Sequence, residues 1–242
     1  MPEDMDPRTL LLQMLARRSF RLGEFKLSSG GSSDYYIDCR ITTLDAEGAR
    51  LTGRVVLDEI RKQGWDAQAI GGMTLGADPM VIATAVLTAQ EAQTRLEERR
   101  PGDPPLPDAT LHGFLVRKAE KAHGTGQRIE GFREKGARVV IVDDVCTTGS
   151  STIQAIEAAR AAEMRVVGVI CLVEREDAGG RPAVEKAALP AKFVSLLTAA
   201  EIRKEHLRLG GSPTLAVSAA CEMCGRPAAT NVPRPRCEAH RP

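Results

Sequence analysis

Apolar positions along this chain alternate between two periods, one suited to strands and the other to helices. Val139 to Val142 and Val166 to Val173 are short aliphatic runs of the kind that form strands buried on both faces. Ile153 to Glu163, which lies between them, reads as a helix. Upstream, Arg8 to Arg18 is an apolar-rich amphipathic helix followed by a polar, glycine-containing segment. Gly30 to Asp34 has turn chemistry, and Tyr35-Tyr36-Ile37-Asp38 reads as a short strand. A second helix is expected to start near Thr43. Asp45 and Glu47 suit its positive end, Leu51, Val55, Val56 and Ile60 form its apolar face, and Gly64 closes it. Ala67 to Ile70 is a predicted strand ending in a glycine-rich turn, Gly71 to Gly76, ahead of a helix from Asp78 to Arg95. Leu111 to Val116 and Phe193 to Leu197 complete the predicted strands, the latter followed by a short helix. Strands alternating with helices predict an α/β fold with a mainly parallel sheet covered on both faces.

Residues 97–110 are charged and proline-rich, as expected of an exposed connection. From Gly210 onward the composition turns to Pro, Arg and Cys, which predicts a main domain over residues 1–210 and a separate tail over 211–242. The chain has 242 residues, 43% of them hydrophobic but only 3% aromatic, so its core must be aliphatic. A net charge of +1 gives no general attraction to nucleic acid or to an acidic membrane surface. No apolar run is long enough to span a membrane, and Met1-Pro2-Glu3-Asp4 lacks the features of a signal peptide, so a cytoplasmic protein is expected. Six cysteines in such a chain point to metal or thiol chemistry rather than a disulfide framework.

Candidate chemistry concentrates in Val139 to Thr152. There the aliphatic run stops at two adjacent acids, Asp143 and Asp144, followed by Thr147-Thr148-Gly149-Ser150-Ser151. A helix cap alone would explain the hydroxyls but not two carboxylates on a hydrophobic strand. Backbone N–H groups of such a turn and the following helix N-terminus can hold a phosphate. The acids suit ribose hydroxyls or a hard cation such as Mg2+. A second candidate is the basic, glycine-bounded segment containing Arg117, Lys118, Lys121 and His123, followed by Gly124-Thr125-Gly126. Its like charges repel one another in isolation, but over a polyphosphate they become attractive and a loop could close.

Together these segments resemble the type I phosphoribosyltransferases and, within them, the branch that uses orotate. The acidic-acidic-x-x-T-x-G pattern at Asp143–Gly149 is similar to the family's phosphoribosyl diphosphate motif. Arg117-Lys118-x-x-Lys121-x-His123-Gly124 resembles the orotate branch's catalytic loop. Phe25-x-Leu27-x-Ser29-Gly30, Ser33-x-Tyr35-Tyr36 and Leu172 to Glu176 add to the likeness, which covers roughly residues 10–205. The resemblance implies a glycosyltransferase with a small hood region that moves ribose 5-phosphate from phosphoribosyl diphosphate to orotate in pyrimidine biosynthesis. It also implies Mg2+ as cofactor and a homodimer whose basic loop reaches the partner's site. Asp143 and Asp144 would address the ribose hydroxyls, directly or through the metal, and Thr147, Thr148, Gly149, Ser150 and Ser151 would cradle the 5′-phosphate. Arg117, Lys118, Lys121 and His123 would meet the diphosphate, with Lys121 the main catalytic contributor. Arg175, with Thr147, would contact orotate, to whose carboxylate or paired carbonyls a planar guanidinium is suited. Two positions depart from the pattern. Ser28 and the Thr74-Leu75 pair stand where some members carry lysine, which shifts diphosphate binding towards the basic loop.

A regulator that senses phosphoribosyl diphosphate and binds nucleic acid through the tail is the competing class, but it need not keep the basic loop that this chain has. A phosphoribosyltransferase for another base is disfavoured by that loop and by Arg175. In the tail, Cys221-x-x-Cys224 and Cys237-x-x-His240 give four ligands at spacings that suit one tetrahedral structural Zn2+. The tail's arginines make nucleic acid a lesser expectation than stabilisation. His112 and His206 are read as structural or exposed, Trp65 as packing and Cys171 as a small core residue.

Overall fold

The computed structural model describes residues 5–26, 32–100, 103, 110–118 and 128–211. The first helix, α1 (Pro7–Met14), starts where the Asp6 carboxylate accepts from the Thr9 N–H, with proline in its first turn. One π-helical turn, Leu15–Ser19, carries it into β1 (Phe20–Lys26), which pairs antiparallel with β2 (Ser32–Ile37) to form a two-stranded hood. A single short helical turn, α2 (Arg40–Thr43), leads to α3 (Ala46–Lys62), whose N-cap is Asp45. Gly64 takes a positive φ of 66° where α3 ends.

The main sheet contains β3 (Ala69–Met73), β4 (His112–Val116), β5 (Ile129–Gly131), β6 (Arg138–Cys146), β7 (Arg165–Glu174) and β8 (Lys192–Thr198), in the order β5-β4-β3-β6-β7-β8. All neighbours are parallel except β4–β5. The helices α4 (Asp78–Glu97), α5 (Ser150–Ala161), α6 (Arg181–Ala188) and α7 (Ala199–Arg208) complete the described elements. Along β6, Val140 and Val142 pack into one core with Leu51, Val56 and Met80, while Val139 and Ile141 pack into a second core with Ala155 and Ile156. The sheet is thus buried on both faces, as its unbroken aliphatic runs require.

Several boundaries differ from expectation. Gly71 and Gly72 lie within β3, not in the turn after it. The Phe114 ring occupies the space a side chain on Gly71 would need, and the Val142 carbonyl oxygen that of Gly72. β1 and β5 were not legible as strands, and α6 is an additional short helix. His206 bonds the Ala16 carbonyl oxygen at 2.7 Å and packs on Phe20; His112 stacks on Phe132. Trp65 packs against Gly168 and Cys171 is fully buried, so all four have the roles expected of them. Among the described residues no helix is long and apolar enough to cross a membrane.

Candidate active site

The chain order reverses in the middle of the sheet. From β3 it moves one way to β4, whereas from β6 it moves the other way to β7 and β8. Loops leaving β3 and β6 therefore diverge, and a crevice opens at their C-terminal ends. A cleft of about 330 Å³ lies there. Its walls include Asp143, Asp144, Thr147 and Ser151 after β6, Lys118 after β4, Arg175 after β7, Thr74 to Gly76 after β3, and Asp38 and Arg40 after the hood.

The two acids are held differently. Asp143 is 4% exposed; its Oδ2 accepts from the Thr152 hydroxyl at 2.5 Å and its Oδ1 from the Asp144 N–H at 3.1 Å. Burial pushes the Asp143 carboxyl up to about 7. Asp144 is more open. Burial also raises its pKa, against the Val145 N–H donated to Oδ1 at 2.9 Å and the nearby charge of Arg40. Gly76 allows this approach, because a Cβ there would lie 2.2 Å from Asp144 Oδ1.

Gly149 is the N-cap of α5, in the left-handed region at φ 78°, and no side chain caps the helix. Thr147, Thr148, Ser150 and Ser151 around it are exposed. This bend aims the N-terminus of α5 at the cleft and leaves its dipole open to an anion.

Arg175 is largely buried. Its Nε donates to the Tyr35 hydroxyl at 2.9 Å, and its Nη2 donates to Asp177 Oδ2 at 2.8 Å and Ser33 Oγ at 3.1 Å. The guanidinium carbon sits 4.4 Å from the Tyr35 ring centroid, and the Tyr35 hydroxyl donates to Asp177 Oδ1 at 2.6 Å. This network fastens the hood to the end of β7.

Of the basic residues, Lys118 lines the cleft, whereas Arg117 is paired with Glu130 at 3.1 Å and is not among the lining residues. Lys121 and His123 lie outside the described residues, as do Leu27, Ser29 and Gly30 between β1 and β2 and Cys221, Cys224, Cys237 and His240 of the C-terminal sequence. Sequence reading missed Asp38 and Arg40, which form a two-point ion pair with both distances 2.9 Å on the cleft wall. Arg40 holds the Asp38 carboxyl below its usual range. An acid and a base two residues apart just beyond a strand end was the available signal.

The family model described as phosphoribosyl transferase domain matches residues 83–188, which include the two acids and the bend that follows them. An orotate phosphoribosyltransferase of Streptomyces avermitilis is 41% identical over 188 residues, covering 78% of this chain and 93% of that protein. One from Aquifex aeolicus is 37% identical over 186 residues, covering 76% and 91% respectively. Among solved structures, orotate phosphoribosyltransferase of Mycobacterium tuberculosis H37Rv superposes with a TM-score of 0.63 at 34% identity, covering 81% of this chain and 99% of that one. The same enzyme in complex with 5-phospho-α-D-ribosyl 1-diphosphate gives a TM-score of 0.60 at 30% identity, with 81% and 99% covered. With its crevice at the sheet's reversal point and relatives spanning nearly their full lengths, the chain belongs to the orotate phosphoribosyltransferases of the type I fold, which transfer ribose 5-phosphate from phosphoribosyl diphosphate to orotate.

Proposed function

We propose that this cleft carries out the transfer with the donor's ribose over Asp144 and Asp143, its 5′-phosphate on the bend from Thr147 to Ser151, and orotate against Arg175. The observation that carries this reading is the convergence on one crevice of a buried acid and its half-buried neighbour, an uncapped helix N-terminus and a fixed guanidinium. Thr147, which lines the crevice near Arg175, is proposed to touch the acceptor as well.

The donor set suits Mg2+. Two adjacent carboxylates whose burial disfavours their charged forms gain from a cation. An ion held by these two carboxylates would take most of its oxygens from substrate and water. Bound beside Asp144, Mg2+ would neutralise and orient the donor's oxygens.

Breaking the bond from C1′ to diphosphate builds positive charge on the ribose and negative charge on the leaving group. The acids favour the first, while Lys118 and, from the basic loop, Arg117, Lys121 and His123 favour the second. Arg40, paired with Asp38, supplies a further cation on the wall shared with Leu75. Orotate brings its own anionic nitrogen, so no protein nucleophile is required, and closure of the basic loop would exclude water. The tail from 211 is proposed to be a separate segment holding structural Zn2+ through Cys221, Cys224, Cys237 and His240. One zinc per chain, lost when residues 211–242 are removed, is the expected metal analysis; no zinc in the full chain would reject it. We also read the protein as cytoplasmic and homodimeric, the latter supported by an exposed apolar face on α4.

Purified protein with orotate, phosphoribosyl diphosphate and Mg2+ should consume orotate, followed by loss of its absorbance. An absence of turnover, or equal turnover of hypoxanthine, would overturn the reading.

A further inference from the structure

The way Arg175 is held has a consequence for how the acceptor is read. A guanidinium has five N–H groups, one on Nε and two on each terminal nitrogen. In Arg175, Nε is committed to Tyr35, and Nη2 to both Ser33 and Asp177. Among the described residues no partner is seen for Nη1, and Arg175 lines the cleft. A two-pronged grip on a carboxylate, the geometry a free arginine would offer, is therefore closed off at both edges that include Nε or Nη2.

Asp177 is the hinge of this arrangement. One of its oxygens accepts from Arg175 Nη2 and the other from the Tyr35 hydroxyl, which in turn accepts from Arg175 Nε. The three groups form a closed ring of hydrogen bonds, with the Arg175 guanidinium carbon over the Tyr35 ring. The Tyr35 hydroxyl is pushed up to about 12, chiefly by burial and by Asp177, so it stays protonated and keeps donating throughout the neutral range.

We propose that Asp177, acting through Arg175 and Tyr35, is a positioning residue for the acceptor, turning the guanidinium so that Nη1 alone meets an oxygen of the anionic pyrimidine. This rests on the assignment of Arg175 to orotate. Without Asp177, Nη2 keeps only Ser33 and the Tyr35 hydroxyl loses its acceptor, so the side chain gains rotational freedom and the acceptor must order it on binding. The donor is assigned to the β6–α5 bend and the basic groups, and among the described residues the side-chain hydrogen bonds of Asp177 go to Arg175 and Tyr35 alone, so the donor's affinity should be unaffected.

The test is steady-state kinetics of the full chain, each substrate varied with the other saturating, in the parent, Asp177→Ala, Asp177→Glu and Tyr35→Phe. Asp177→Ala should raise the orotate KM about tenfold while the phosphoribosyl diphosphate KM stays within about twofold. Asp177→Glu, which restores the charge, should recover part of that loss, and Tyr35→Phe, which removes a single oxygen, should raise the orotate KM about threefold. An orotate KM within about twofold of the parent in Asp177→Ala, a parallel rise in both KM values, or no recovery in Asp177→Glu would overturn the proposal. Should Asp177→Ala fail to fold, Tyr35→Phe decides it by the same split. Failure of the parent itself to use orotate would instead remove the underlying assignment, and the proposal with it.

Discussion

Asp143 is a carboxylate placed where its charge is costly. It is buried between β6 and α5 with Thr152 and the Asp144 N–H as its hydrogen-bond donors, and its pKa rises from the ordinary 3.8 to about 7. The folded protein therefore binds this proton more tightly than the unfolded chain does. The stabilisation is fully present below the ordinary value and is lost as pH rises from about 4 to about 7. Asp143→Asn, which fills the same space without ionising, should be the more stable protein at pH 8, by up to about 4 kcal/mol. Melting temperatures of the two at pH 5 and pH 8 check this, and parallel curves would reject it. The same substitution should lower turnover, since it removes negative charge from the ribose site. Asp143 and Asp144 stand out in the sequence because two adjacent acids are unusual at the end of a hydrophobic strand, whereas Arg175 is singled out only by the family resemblance. Asp177 and the Tyr35 hydroxyl were not legible, because their hydrogen bond joins residues 142 positions apart and no local pattern records it.

Among the elements, those with an unbroken aliphatic run or a strong amphipathic face were legible: β6, β7, α3 and α4 fall where the apolar spacing predicts them. The failures share a cause, since each is decided by a neighbour rather than by its own residues. β1 is polar and bent by a register shift between Leu22 and Phe25, and β5 is a three-residue partner of β4. The β3 glycines are strand residues only because Phe114 and Val142 fill the space beside them. Gly149 is the element boundary on which the proposed donor site most depends. Its φ of 78° favours glycine, and a Cβ there would lie 2.3 Å from Val184 Cγ2 on α6. Gly149→Ala should therefore cost roughly 1–3 kcal/mol of stability from the backbone conformation, with the contact adding to it. It should also raise the KM for phosphoribosyl diphosphate more than that for orotate. A second change, Val184→Ala, should relieve the contact and return part of the stability but little of the donor affinity. Thermal unfolding and the two KM values test both halves, and unchanged donor KM in Gly149→Ala would reject a phosphate site at this bend.

At the scale of the whole molecule, the largest unspent feature is apolar surface. Leu44 is 71% exposed, Ile82 58% and Val86 50%, and Leu44, Ile82 and Val86 border a cleft of about 460 Å³ together with Thr43, Pro79, Ala83 and Leu87. Isolated exposed leucines are ordinary, but large apolar side chains gathered around one groove beside α4 are what the proposed homodimer would need to cover. A second copy of the chain is the simplest cover, because a twofold interface buries one patch against itself. The groove also adjoins the site: α2 carries Arg40 on the cleft wall at its start and Thr43 on the groove at its end. Pairing there would brace the hood-side wall of the active site. Ile82→Glu with Val86→Glu should reduce the protein in sedimentation from twice the 26.0 kDa chain mass to that mass, with activity falling alongside. If the basic loop serves the partner's cleft, mixing Lys121→Ala and Asp144→Asn proteins, each expected to lose activity alone, should restore activity, since one site in each hybrid has both an intact loop and intact acids. Random exchange makes half the dimers hybrids with one working site of two, so recovery should approach about a quarter of the parent's rate. No recovery from a mixture shown to exchange subunits would mean that each loop closes over its own chain's cleft.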